Sequence, residues 1–122
     1  MNMKATKTPV DAMFRAFSDR TRLRIMHLLQ PGELCVCDLV AVLRVPQPKV
    51  SRHLSYLRRA GFVKARKEGL WSYYQLAPAT GPFHRKMLDC VATCFADVPE
   101  LARDAAELAS RRASCRPGKP CC

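Results

Sequence analysis

The sequence contains no apolar run approaching the ~18 residues that a membrane-spanning helix requires, so no helical membrane anchor is expected. Its first residues, Met1-Asn2-Met3-Lys4-Ala5-Thr6-Lys7, are basic, but no apolar stretch follows them, and no secretory signal is expected. Glycine is scarce, five in 122 residues, and none lies in a loop that could cradle a phosphate. Thiol enzymes such as reductases need an anion-cradling loop beside a nucleophilic cysteine. Without one, and with no Ser/His/Asp set, the chain is expected not to be an enzyme. Internal repeats are absent. Acidic residues are also few, 10 against 21 Lys and Arg.

That imbalance gives a net charge of +11 and a pI near 9.8. Such a charge fits a polyanionic partner, most often nucleic acid and sometimes an anionic membrane surface. The length of 122 residues with 48% apolar content suits one domain with a core of its own. Seven cysteines are many for such a chain. A cytoplasmic location is expected, where they stay reduced and serve as metal or redox groups rather than disulfides.

Periodicity places the elements. Residues 1–8 read as a disordered N-terminus. Pro9 opens a helix with Val10, Met13, Phe14 and Phe17 on one face. Ser18 or Asp19 caps a second helix running to about Gln30, which Pro31-Gly32 stops. A third spans about Cys35–Leu43, and after the turn Arg44-Val45-Pro46-Gln47 a fourth runs from Pro48 to Ala60, with Gly61 as its C-cap. Then the period becomes two. Segments 62–67 and 70–76 read as strands joined by a turn at Glu68-Gly69. Helical spacing returns from Pro82, and Asp97 is expected to cap a last helix ending near Arg112. The predicted fold is mainly α with a β-hairpin wing, a winged helix-turn-helix. Residues 9–95 form the DNA-binding and dimerisation domain, and 96–122 a C-terminal helix with a flexible, cysteine-bearing tail. The terminal helices keep apolar faces that a homodimer would cover.

The third helix, a tight turn and the fourth helix have helix-turn-helix proportions. The first residues of a recognition helix enter the major groove of double-stranded DNA. Gln47, Lys49, Ser51, Arg52 and His53 supply side chains that read base edges or grip phosphate, and Arg58 suits the backbone. Lys64, Arg66 and Lys67 on the hairpin would reach the neighbouring groove.

Just before that element stands Glu33-Leu34-Cys35-Val36-Cys37-Asp38-Leu39. Thiolates select soft ions, trivalent arsenic and antimony or cadmium and lead. Cys35 and Cys37 are the first candidate ligands, although small buried cysteines are an alternative reading. On a regular helix, residues two apart diverge by about 200°. Both sulfurs could then meet one ion only if the first turn of the third helix unwound. Cys90 and Cys94, four apart, share one helical face and are either ligands or interface residues. Cys115, Cys121 and Cys122 on the tail could deliver a further thiolate. A redox switch at Cys35/Cys37 or Cys121/Cys122 ranks lower, because near-adjacent disulfides are strained.

Three motifs, Glu33–Leu39, Gln47-Pro48-Lys49-Val50-Ser51-Arg52-His53-Leu54 and Gly69-Leu70-Trp71-Ser72-Tyr73-Tyr74, closely resemble the arsenic-responsive (ArsR-type) repressors of the ArsR/SmtB family, over residues 10–78. The resemblance implies a dimeric winged-helix repressor that sits on the operator of an arsenic-resistance operon. It implies that As(III) or Sb(III), bound by Cys35 and Cys37, releases the DNA. Two positions depart from the pattern: Val40 stands where a third cysteine is frequent, and Pro46 where a capping serine is common. Cadmium- and lead-sensing relatives add cysteines from an N-terminal arm, and residues 1–14 have none. Zinc-sensing relatives use an Asp-x-His and His pattern that His84 and Asp89 do not reproduce. Tail cysteine pairs in some members imply an organoarsenical response as an alternative.

Overall fold

The computed structural model describes residues 9–114; the expectations for residues 1–8 and for Cys115, Cys121 and Cys122 lie outside that range. Along the chain run α1 (Val10–Phe17), α2 (Arg20–Leu28), β1 (Leu34–Cys35), α3 (Val36–Leu43) and α4 (Gln47–Ala60). They are followed by β2 (Val63–Glu68), β3 (Trp71–Leu76), α5 (Pro82–Thr93) and α6 (Pro99–Ala113). The predicted winged helix-turn-helix is present, mostly helical with one small antiparallel sheet.

Local chemistry sets the boundaries. Asp19 caps α2, its carboxylate accepting the Arg22 N–H at 3.0 Å. Pro46 has no capping side chain, so its carbonyl alone holds the start of α4, accepting the Lys49 and Val50 N–H groups at 2.9 and 3.1 Å. Gly61 ends α4 at φ +91°, a conformation L side chains rarely adopt, and Phe62 N–H reaches back to Leu57 O at 2.9 Å. The wing turn is one residue later than predicted. Glu68 pairs with Trp71, so the two-residue loop is Gly69-Leu70, with glycine taking φ +63° in the first position. The expected Asp97 cap does not form: Val98 is the N-cap of α6, without a side-chain bond.

The core joins Met13 and Ala16 of α1, Ile25, Met26 and Leu28 of α2, Leu39, Val42 and Leu43 of α3, and Val50, Leu54 and Leu57 of α4. Phe62, Met87, Val91 and Leu108 close it. α6 lies across α2 and α3 with Leu101 and Leu108 buried. Among the ion pairs that hold it there, the two most buried are Arg24–Asp104 at 2.7 Å and Arg111–Asp38 at 3.0 Å.

His84 of α5 is 1% exposed. Its Nδ1 accepts the Thr80 N–H at 3.1 Å, its Nε2 is buried without a hydrogen-bond partner, and its ring meets Phe62 edge-on. Burial pushes its pKa down. The folded state therefore disfavours the imidazolium, while the unfolded chain takes up a proton near pH ~6.5. Stability is expected to be full above that pH and to fall as pH drops below it. Urea unfolding at stepwise lower pH should show a smaller slope in His84→Gln; an identical slope in both proteins would refute this source.

Candidate functional site

α4 buries Val50, Leu54, Leu57 and Ala60 and turns its other face to solvent. Of the predicted DNA-contacting residues, Gln47, Lys49, Ser51, Arg52 and Arg58 are exposed on that face. His53 differs. It is half-buried, with Nδ1 3.8 Å from Asp19 Oδ2, and burial lowers its pKa against the opposing pull of Asp19. It presents a neutral ring at pH 7, better suited to hydrogen bonding than to gripping phosphate.

Two of the three wing cations, Lys64 and Lys67, are exposed. Arg66 is engaged within the protein. Its Nε and Nη2 donate to the two carboxylate oxygens of Glu33 at 2.8 Å each, and Nη1 donates to Glu68 at 2.7 Å. The guanidinium lies 4.5 Å over the Tyr73 ring. The Arg66 contacts draw the Glu33 carboxyl below its ordinary range, and both carboxylates drive the Arg66 pKa upward. Of the two carboxylates, strand alternation puts only Glu68 on the face of Arg66, whereas Glu33 lies 33 positions earlier in the chain.

The cysteine motif departs from the predicted helix. Cys35 is not in α3; it is the extended N-cap residue (φ −73°, ψ 149°) and the last residue of β1. Leu34 pairs with Tyr74 and Cys35 with Tyr73, so the order β1-β3-β2 joins the motif to the wing. Cys37 sits in the first turn of α3. With one cysteine extended and the other helical, the 200° divergence does not apply, and the two Sγ atoms approach to 2.9 Å without any unwinding. Cys35 is 1% exposed and Cys37 half-buried. Cys37 is disulfide-bonded, which departs from the expectation of seven reduced thiols; thiolate chemistry at the pair belongs to the reduced chain. Asp38, next to Cys37, is buried and accepts from Arg111 of α6.

Cys90 and Cys94 are one turn apart at the end of α5, where the Cys94 N–H donates to Cys90 O at 2.8 Å. Cys90 is half-buried and Cys94 exposed, so neither is a core residue of this chain. Burial, then contact with the Cys94 thiol, pushes the Cys90 pKa up. Among the described residues, no group of three or more His, Cys, Asp and Glu side chains is placed to hold a metal. None of their helices is long and apolar enough to cross a membrane.

Residues 19–65 match the family described as "Bacterial regulatory protein, arsR family". The chain is 45% identical over 83 residues to the arsenical resistance operon repressor of Escherichia coli (strain K12), covering 67% of this chain and 71% of that one. It is 40% identical over 109 residues to the arsenic resistance transcriptional regulator ArsR1 of Pseudomonas putida (strain KT2440), covering 88% and 83%. Among solved structures, reduced HlyU from Vibrio cholerae superposes with a TM-score of 0.62 at 28% identity, over 72% of this chain and 90% of that one. These relatives are transcriptional regulators rather than enzymes, in keeping with the sequence reading.

Proposed function

Since the chain belongs to the arsR family and is a DNA-binding transcriptional repressor of the ArsR/SmtB type, we propose that trivalent arsenic or antimony is its inducer, with Cys35 and Cys37 as thiolate ligands. The observation that carries this reading is the approach of the two sulfurs to 2.9 Å where β1 meets α3. Soft trivalent ions favour thiolates over the nitrogen and oxygen donors nearby. The third ligand comes from outside the described residues or from solvent.

The position of the pair supplies the mechanism. Cys35 is paired to β3 of the wing, and Cys37 starts the helix whose Leu39, Val42 and Leu43 pack in one core with Val50, Leu54 and Leu57 of α4. A ligand that resets the two sulfurs therefore displaces wing and recognition helix relative to each other. Coupling of this kind is ordinarily worth about 1–3 kcal/mol, roughly a 5- to 150-fold loss of DNA affinity. We further propose a homodimer through α1 and α5: Phe14 is 57% exposed, Val10 is also exposed, and the Phe14 ring meets Phe83 of α5 in a tilted contact with centroids 5.3 Å apart. A monomer by light scattering at micromolar concentration would exclude it.

The direct test is fluorescence anisotropy of the reduced full chain on the DNA upstream of its own gene, titrated with arsenite, antimonite, methylarsenite, cadmium and zinc. Release by arsenite or antimonite supports the reading. Release by cadmium alone would overturn it. Release mainly by methylarsenite would move the site toward the later cysteines. In the same assay Arg52→Ala should weaken DNA binding by about 1–3 kcal/mol with or without metalloid. Unchanged affinity would remove Arg52 from the reading face.

A further inference from the structure

The sheet carries one row of residues from the cysteine motif to the outer wing strand: Cys35 of β1 pairs with Tyr73 of β3, and Tyr73 pairs with Arg66 of β2. Cross-strand partners share a face, so all three side chains lie on the same side. Glu33, two residues before Cys35, is on that side too. Its carboxylate takes the Arg66 fork at 2.8 Å through both oxygens, spanning the central strand. Two strand spacings, about 10 Å, separate the outer strands of such a sheet. The pair therefore ties the free edge of the wing to the chain segment that enters β1.

We infer that Arg66 is a positioning residue and not a DNA contact: with Glu33 it sets the angle of the wing against α4. The charge arrangement favours this. The guanidinium fork is already taken by two carboxylates, Glu33 and Glu68, and with Lys64 also acting on Glu33 the group carries no net positive charge to attract a phosphate. A phosphate could engage the Arg66 fork only by displacing Glu33 from a bidentate pair. Lys64 and Lys67, both exposed, are left as the wing cations for DNA. The inference does not depend on the identity of the inducer, because it concerns the DNA-bound form of a repressor without its ligand.

Glu33→Gln separates the two roles by sign. If Arg66 contacted DNA, removing Glu33 would free it and delete a negative charge near a polyanion, and binding would tighten. If the pair positions the wing, binding weakens, by about threefold to tenfold given the partial exposure of the pair. The probe is a duplex recovered by in vitro selection on the wild-type full chain, so that wild-type binding is assured. Three further readouts belong to the experiment. Arg66→Lys keeps the charge and loses the fork, and should weaken binding as much as Arg66→Gln. The slope of log K against log salt should stay unchanged in Arg66→Gln, whereas loss of a phosphate contact would lower it by about 0.9. The Glu33→Gln/Arg66→Gln double variant should bind no more weakly than either single one, since both remove the same interaction. Thermal unfolding of each variant confirms that it is folded. Tighter or unchanged binding in Glu33→Gln, or a salt slope reduced by about 0.9 in Arg66→Gln, would overturn the assignment.

Discussion

Cys35→Ser and Cys37→Ser, each made alone, are expected to keep operator affinity and to lose the arsenite response, so that affinities with and without arsenite agree within about twofold instead of differing by the roughly 5- to 150-fold of a coupled site. Affinity survives because neither sulfur faces DNA: Cys35 is buried in the sheet row and Cys37 lies at the base of α3. Serine keeps the size of the side chain but replaces a soft donor by a hard, protonated one. The two sulfurs act as a unit, so the double variant should be no worse than either single one. The measurement is the anisotropy titration under reducing conditions, with metalloid binding followed separately through thiolate absorbance. A full arsenite response in both single variants would remove the pair from the mechanism. Loss of DNA binding in the absence of arsenite would instead show a structural role.

The second large effect concerns stability. Asp104→Ala is expected to lower unfolding free energy by about 3–5 kcal/mol, a large part of the ~5–15 kcal/mol typical of a domain. Asp104 of α6 receives two parallel N–H groups from Arg24 of α2, at 2.7 and 2.9 Å, with side-chain exposures of 7% and 15%. Removing the carboxylate leaves a largely buried guanidinium with only Glu100 at 3.6 Å. Replacing both partners together, Arg24→Met with Asp104→Leu, should restore most of the loss because no unpaired charge remains. Urea denaturation of the three proteins checks this, and a cost below about 1 kcal/mol for Asp104→Ala would show the pair to be solvent-screened. α6 also carries Arg111, the partner of Asp38 beside Cys37, so loosening α6 should alter the seat of the cysteine motif as well.

Much of the fold was legible because its signals are local. The Asp19 cap, the Gly61 stop and the change from helical to alternating period before the wing each involve residues within one turn of each other. The misplaced boundaries are equally physical. Cys35 carries no local sign of its strand, because β1 is two residues long and its pairing partners, Tyr73 and Tyr74, are about 40 residues away. Asp97 has the residue type of a cap, but the chain turns into α6 one residue later, at Val98.

The site divides in the same way. Residue types and spacing alone determined that this is a basic chain with a winged helix-turn-helix and two cysteines one residue apart just before it, since charge, period and motif are properties of order along the chain. Only the tertiary structure decided that the Cys35 and Cys37 sulfurs converge, that Arg66 is held by Glu33 and Glu68, and that α6 is anchored through Asp104 and Asp38. Those facts join residues as far as 80 positions apart. Pairing over such distances is set by how strands register and helices pack, and no local pattern encodes it.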